Sequence, residues 1–142
     1  PLFILGNGLA HNNRSNALVV YKNGNTDING YTQLGKASEG APAIKQKKII
    51  GFNTPSSANP NSWTFVPHGV NASKILSISV LVTAPGGYDI LPHSPDAGAI
   101  YTVNTDPTGG GAGPSIAIGV KSAVQSGNVM GRPIKILITY EE

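Results

Sequence analysis

Three observations predict an all-β fold, with very short strands over residues 1–42 and an antiparallel β-sandwich over 43–142. In 74–83, Leu76, Ile78, Val80 and Val82 fall on one face of a strand and Ile75, Ser77, Ser79 and Leu81 on the other, because successive strand side chains alternate. In 132–142, Ile134, Ile136, Ile138 and Tyr140 form a second apolar row opposite Lys135, Leu137, Thr139 and Glu141. Eighteen glycines and eleven prolines in 142 residues leave little room for helices. The 74–83 strand is expected at the centre with 132–142 beside it. Its second face is mixed rather than polar, so Ile75 and Leu81 point to a neighbouring layer or subunit.

Along the chain, residues 1–35 alternate short apolar runs (2–5, 17–21 and Ile28) with the turns Gly6-Asn7-Gly8, Asn23-Gly24-Asn25 and Asn29-Gly30, whose residues tolerate the positive φ of tight turns. Strands this short bury no core of their own, so the segment is expected to be unstable as a monomer. Residues 36–42 read as a small-residue neck. Then come a strand over 43–52 (Ile44, Ile49, Ile50, Phe52), a Pro/Asn/Ser loop over 53–62, a strand over 63–66 closed by Pro67-His68-Gly69, and the central strand. A long irregular loop is expected over 84–98, then strands over 100–104 and 115–120 separated by Gly109-Gly110-Gly111, a connection over 122–131, and the last strand. Some six strands with turn signals every ~8 to 12 residues predict two packed layers.

Leu5-Gly6-Asn7-Gly8-Leu9, Arg14-Ser15-Asn16-Ala17-Leu18 and Lys22-Asn23-Gly24-Asn25-Thr26 resemble the head repeats of trimeric autotransporter adhesins and of related bacterial and phage fibre proteins. In those proteins three chains wrap together, each adding short strands to a shared β-prism or β-roll shaft. Pro67-His68-Gly69-Val70, residues 73–82 and the ending 132–142 resemble the C-terminal domains of tail-fibre-like proteins and, more weakly, six-stranded trimeric lectins. The resemblance implies a homotrimer with a knob at its tip. No sugar-binding motif of such lectins matches position by position, so no binding residue is carried over from them.

Charged residues are only 12% of the chain, about half the usual ~25%, and Asn, Ser, Thr and Gly supply the polar surface, as in neutral extracellular β-proteins. The net charge of +3 has no dense stripe beyond Lys45, Lys47 and Lys48, so a nucleic-acid partner is not expected. Without cysteine there is no disulfide framework and no thiol chemistry, which leaves the compartment open. No apolar run is long enough to insert into a membrane, and no export signal is present. The start at Pro1 without Met predicts the end of a longer polypeptide, and the fibre resemblance implies a place on a virion tail fibre or an extracellular surface.

Catalysis needs convergent groups. His11, His68 and His93 lack metal-ligand spacing, and neither a metal nor a cofactor is expected. His68 reads as a turn residue beside Trp63, with a metal ligand on a trimer axis as the alternative. Asp89, Asp96 and Asp106 are candidate paired carboxyls for glycoside cleavage, although Asp96 and Asp106 also suit turns. There is no Gly-x-Ser-x-Gly elbow and no phosphate loop. Trp63 reads either as core or as a ring presented to a sugar face, whereas Tyr101 reads as structural. Tyr88 beside Asp89 combines a stacking surface with an acceptor. The expected receptor-binding set is therefore Tyr88, Asp89, His93, Ser94 and Asp96 on the 84–98 loop, Asp106 on a loop over 104–113, and Trp63 on the flank. The function expected is a non-enzymatic tip of a homotrimeric fibre that attaches to a cell-surface receptor through glycans. The alternatives are a polysaccharide-depolymerising tip enzyme and a free secreted lectin.

Overall fold

A computed structural model describes residues 1–6, 16–28, 32–33, 35–59, 62–92, 100–106, 113–120 and 126–141. Among them are eleven strands: β1 (Phe3–Gly6), β2 (Asn16–Val20), β3 (Thr26–Ile28), β4 (Thr32–Gln33), β5 (Ala43–Asn53), β6 (Trp63–Pro67), β7 (Ile75–Thr83), β8 (Asp89–Ile90), β9 (Thr102–Asp106), β10 (Ser115–Gly119) and β11 (Pro133–Glu141). Single 3-10 turns occur between strands, such as Ala72–Lys74, opened by Asn71, whose Oδ1 accepts from the Ser73 N–H at 3.1 Å. The chain is all-β. No helix among the described residues is long and apolar enough to cross a membrane.

The chain divides into two compact units, Pro1–Lys45 with Glu141, and Gln46–Tyr140. In the first, β1, β2 and β3 form an antiparallel meander in that order. Its β2–β3 turn is closed by the Tyr21 N–H to the Asn25 carbonyl at 2.8 Å, with Gly24 at φ 87°. β4 pairs with the start of β5 through Thr32 opposite Ile44 and Gln33 opposite Ala43.

In the second unit, one sheet has the order β6-β10-β9 and the other runs β5-β11-β7-β8. Val66, Ile116 and Ile118 of the first sheet share one core with Val80, Val82, Ile134, Ile136 and Ile138 of the second, which gives a sandwich-like pair of layers. Ile134, Ile136 and Ile138 are each 2% exposed or less, as the alternation of the last strand predicts. Tyr101 is fully buried, with its hydroxyl 2.9 Å from the Val80 carbonyl and 2.8 Å from that of Ile90. Burial above all raises its pKa, so the phenol stays protonated and ties β7 to β8. Thr54 is buried beyond the end of β5. Its hydroxyl donates to the Val129 carbonyl and accepts from the Arg132 N–H, which anchors the start of β11.

Three expectations are corrected. Leu76 does not join the core row. Thr139 pairs with Ser77 and Tyr140 with Ile75, so Leu76 is the extra residue of a bulge and is half-exposed, while Ile75 turns to the core. The stretch 84–98 does not begin as irregular loop: the Ala84 N–H donates to the Tyr88 carbonyl at 2.8 Å, closing a tight hairpin whose return strand β8 pairs with Val82 and Thr83. Asp106 does not lie in a loop but at the end of β9, paired with Ser115. In β5, Gly51 at φ 91° adds a residue to the alternation, so Ile49 and Phe52 both pack on the core and Ile50 faces outward.

Candidate functional site

The β6-β10-β9 sheet presents two unlike faces because its registers hold three pairs of side chains in line. On the inner face Val66, Ile116, Ile118 and Val103 enter the core. On the outer face Gly119 lies between Trp63 and Thr102, Ala117 between Phe65 and Asn104, and Ser115 between Pro67 and Asp106. Two residues along β6 set the Trp63 and Phe65 Cα atoms about 7 Å apart on the same face, with polar side chains on β9 two strands away.

Gly119 shapes this face. A Cβ at that position would stand 2.7 Å from Trp63 Cζ3, 2.8 Å from Cε3 and 2.9 Å from Thr102 Oγ1, so the indole occupies the place of the missing side chain. An aromatic laid over a strand glycine covers its backbone and is itself held in one orientation. Ala117, on the outward row, is only 4% exposed, while Phe65 is 38% exposed. Trp63, Phe65, Asn104, Thr105, Asp106 and Ala117 line a depression of about 330 Å³. Its chemistry is two-sided, with apolar rings on β6, and the Asn104 amide and the Asp106 carboxylate on β9, while Thr105 stands in line with the inward Ile116. That combination provides a stacking surface beside directed acceptors and donors. Ser115 Oγ extends the polar row; it is buried and has no hydrogen-bond partner among the described residues.

Of the residues selected from sequence, Trp63 and Asp106 come together here. Tyr88 and Asp89 do not line this depression; they sit on the β7–β8 hairpin of the other sheet. Tyr88 is 58% exposed. Asp89 is already engaged: Lys135 Nζ donates to both carboxylate oxygens at 2.9 Å and Thr83 Oγ1 to one at 2.8 Å. The Lys135 contact, then that of Thr83, holds its pKa below the usual carboxylate range. His93, Ser94 and Asp96 lie outside the described residues, as do His11 and the Gly109-Gly110-Gly111 run.

His68 is a buried turn residue, 2% exposed, whose Nδ1 accepts from the Val70 N–H at 3.2 Å while its carbonyl accepts from Lys47 Nζ at 2.7 Å. A second, aliphatic depression of about 250 Å³ lies on the outer face of β7 and β11, lined by Lys48, Ser79, Leu81, Lys135, Ile136 and Leu137.

Phe65, Asn104, Thr105, Ala117 and Gly119 were not selected from sequence. Trp-x-Phe spacing does place both rings on one face of a strand, and Ala-x-Gly leaves one face of a strand low. The information missing from the sequence is the register that sets these strands against each other. No family model, no curated protein and no solved structure matches this chain.

Proposed function

We propose that this chain is the non-catalytic attachment end of a homotrimeric fibre, on a virion tail or another extracellular surface, that holds its target cell through glycans. The observation that carries the reading is the outer face of the β6-β10-β9 sheet. There Trp63 and Phe65 stand opposite Asn104 and Asp106 across a floor containing Ala117. Sugars offer an apolar C–H face and a rim of hydroxyls, and this depression offers a partner for each. It contains one carboxylate among its lining residues, whereas glycoside cleavage ordinarily uses a pair, which favours adhesion over depolymerisation. The apolar face left open on the β1–β3 meander favours an assembled fibre over a free lectin.

The experiment is binding of the purified chain to a panel of neutral and acidic oligosaccharides, with chain lengths measured after incubation. Binding without shortening is expected, lost in Trp63→Ala and reduced at least about tenfold in Gly119→Ala, whose new Cβ displaces the indole. Tyr88→Ala is expected to bind within about twofold of the parent, as substitution outside a binding face leaves affinity largely unchanged. Shortened chains would establish the depolymerase instead. Unchanged binding in Trp63→Ala would move the site off this face.

A further inference from the structure

We infer that Asn23 is a site of self-modification. Its carboxamide condenses with the Gly24 backbone nitrogen to a cyclic imide that water opens to isoaspartate. The folded β2–β3 turn holds the reaction back, and the product unpairs β3 from β2.

The chemistry is set by the dipeptide. Asn23 carries its carboxamide carbon one methylene from its own Cα, and Gly24, lacking a Cβ, leaves its nitrogen open to approach. Both residues are exposed, so water reaches them. When a base in solution takes the Gly24 amide proton, the nitrogen attacks Asn23 Cγ. The N–Cγ bond forms, the Cγ–Nδ2 bond breaks, and ammonia leaves with the proton. Water then adds to the five-membered imide. Opening at Cγ gives aspartate, whereas opening at the main-chain carbonyl gives isoaspartate, in which the chain runs through Cβ and Cγ. The balance is one water in and one ammonia out, with nothing oxidised or reduced.

The turn restrains both reacting groups. The Gly24 N–H donates to the Tyr21 carbonyl at 3.0 Å, the Tyr21 N–H donates to the Asn25 carbonyl at 2.8 Å, and Gly24 at φ 87° supplies the left-handed residue, which is the arrangement of a type I turn followed by a bulge. To reach Cγ, the Gly24 nitrogen has to leave its hydrogen bond by rotation about the Asn23 Cα–C bond. Asn23 Oδ1 meanwhile accepts from the Asn25 N–H at 3.1 Å, which holds the carboxamide forward along the chain. The Tyr21 hydroxyl donates to Asp27 Oδ2 at 2.8 Å and ties the two sides of the hairpin together. Ring closure therefore goes through an opened turn, and its rate follows the population of that opened state.

Isoaspartate lengthens the loop. Its extra backbone carbon falls inside a hairpin whose register is fixed by turn type and loop length. Val20 opposite Thr26, Val19 opposite Asp27 and Leu18 opposite Ile28 all depend on that length. A slip by whole residues does not absorb a single added carbon, so β3 comes away and Ile28 leaves the apolar row it shares with Leu18 and Leu5.

The test is incubation of the intact protein at mildly alkaline pH, native and in guanidinium chloride, with residue 23 followed by peptide mapping and isoaspartate identified by enzymatic methylation. The map separates Asn23 from Asn7-Gly8 and Asn29-Gly30, which lie outside the described residues. Conversion at Asn23 is expected in the denatured chain and at least about tenfold more slowly in the native one. Asn23→Ser, which has no carboxamide, should show none at that position. In aged native protein, molecules with isoaspartate at 23 should lose amide-exchange protection over 26–28, whereas molecules with aspartate there keep it. No conversion at Asn23 in the denatured chain would overturn the site. Equal rates in the native and denatured chains would overturn protection by the turn, and undiminished exchange protection in the isoaspartate molecules would overturn the unpairing of β3.

Discussion

His68 shows how one buried side chain makes the stability of the chain depend on pH. Burial, followed by the nearby Lys47 ammonium, lowers its pKa from the ordinary histidine value, against a smaller opposing effect of the Val70 hydrogen bond. The folded chain therefore binds a proton less readily than the unfolded chain. Above about pH 6.5 the imidazole is neutral in both states and its full stabilising contribution is present. As pH falls from there through the lower folded-state value, the unfolded state takes up protons first and stability is lost. Thermal melts between pH 7 and pH 5 are expected to show a falling Tm in the parent and a flatter profile in His68→Asn, whose side-chain oxygen can still accept from the Val70 N–H. Equal slopes would assign the loss to other groups. The turn placement of His68 was legible in Pro67-His68-Gly69. The outward ring of Trp63 was not, because its face depends on Gly119, 56 positions away in the chain.

At the level of the strand, alternation was legible where pairing is regular and failed where a partner imposes an extra residue. β11 runs without interruption from Ile134 to Ile138, and its apolar row is the buried one. β7 reads equally regular in sequence, but the bulge at Leu76 exchanges the faces of Ile75 and Leu76. Such a bulge is a property of two strands together, so one strand read alone cannot show it. β8 is only two residues long and carries no periodicity to read. The bulge makes a contrast that simple alternation reverses. Leu76→Ser is expected to change unfolding free energy by no more than about 0.5 kcal/mol, as a surface substitution, whereas Ile75→Ser removes a core-packed side chain and should cost about 1–3 kcal/mol. Denaturant unfolding of the two variants measures the difference, and a larger loss for Leu76→Ser would return that residue to the core.

At the level of the whole molecule, the N-terminal meander presents an apolar face that a single chain leaves uncovered. Cross-strand pairing puts Phe3 beside Val20, and Leu18 between Leu5 and Ile28, all on one face. Phe3, Leu5 and Ile28 remain 53%, 54% and 52% exposed. Three strands of three to five residues bury too little to be stable with such a face in water, whereas copies of the chain packed about an axis would bury the same face against itself. The homotrimer proposed above places three sugar sites on one particle, and weak single-site binding then becomes strong attachment through effective concentration. Sedimentation equilibrium at micromolar concentration is expected to give three times the chain mass of 14.6 kDa. Phe3→Asp combined with Leu5→Asp places like charges on that face and should yield monomer, with single-site glycan affinity retained and avidity for a glycan-coated surface reduced about 100-fold or more. A folded monomer from the unaltered chain would overturn the trimer. A trimer that survives the double substitution would place its interface elsewhere, with the outward Leu81 and Leu137 of the five-stranded sheet next to be tested.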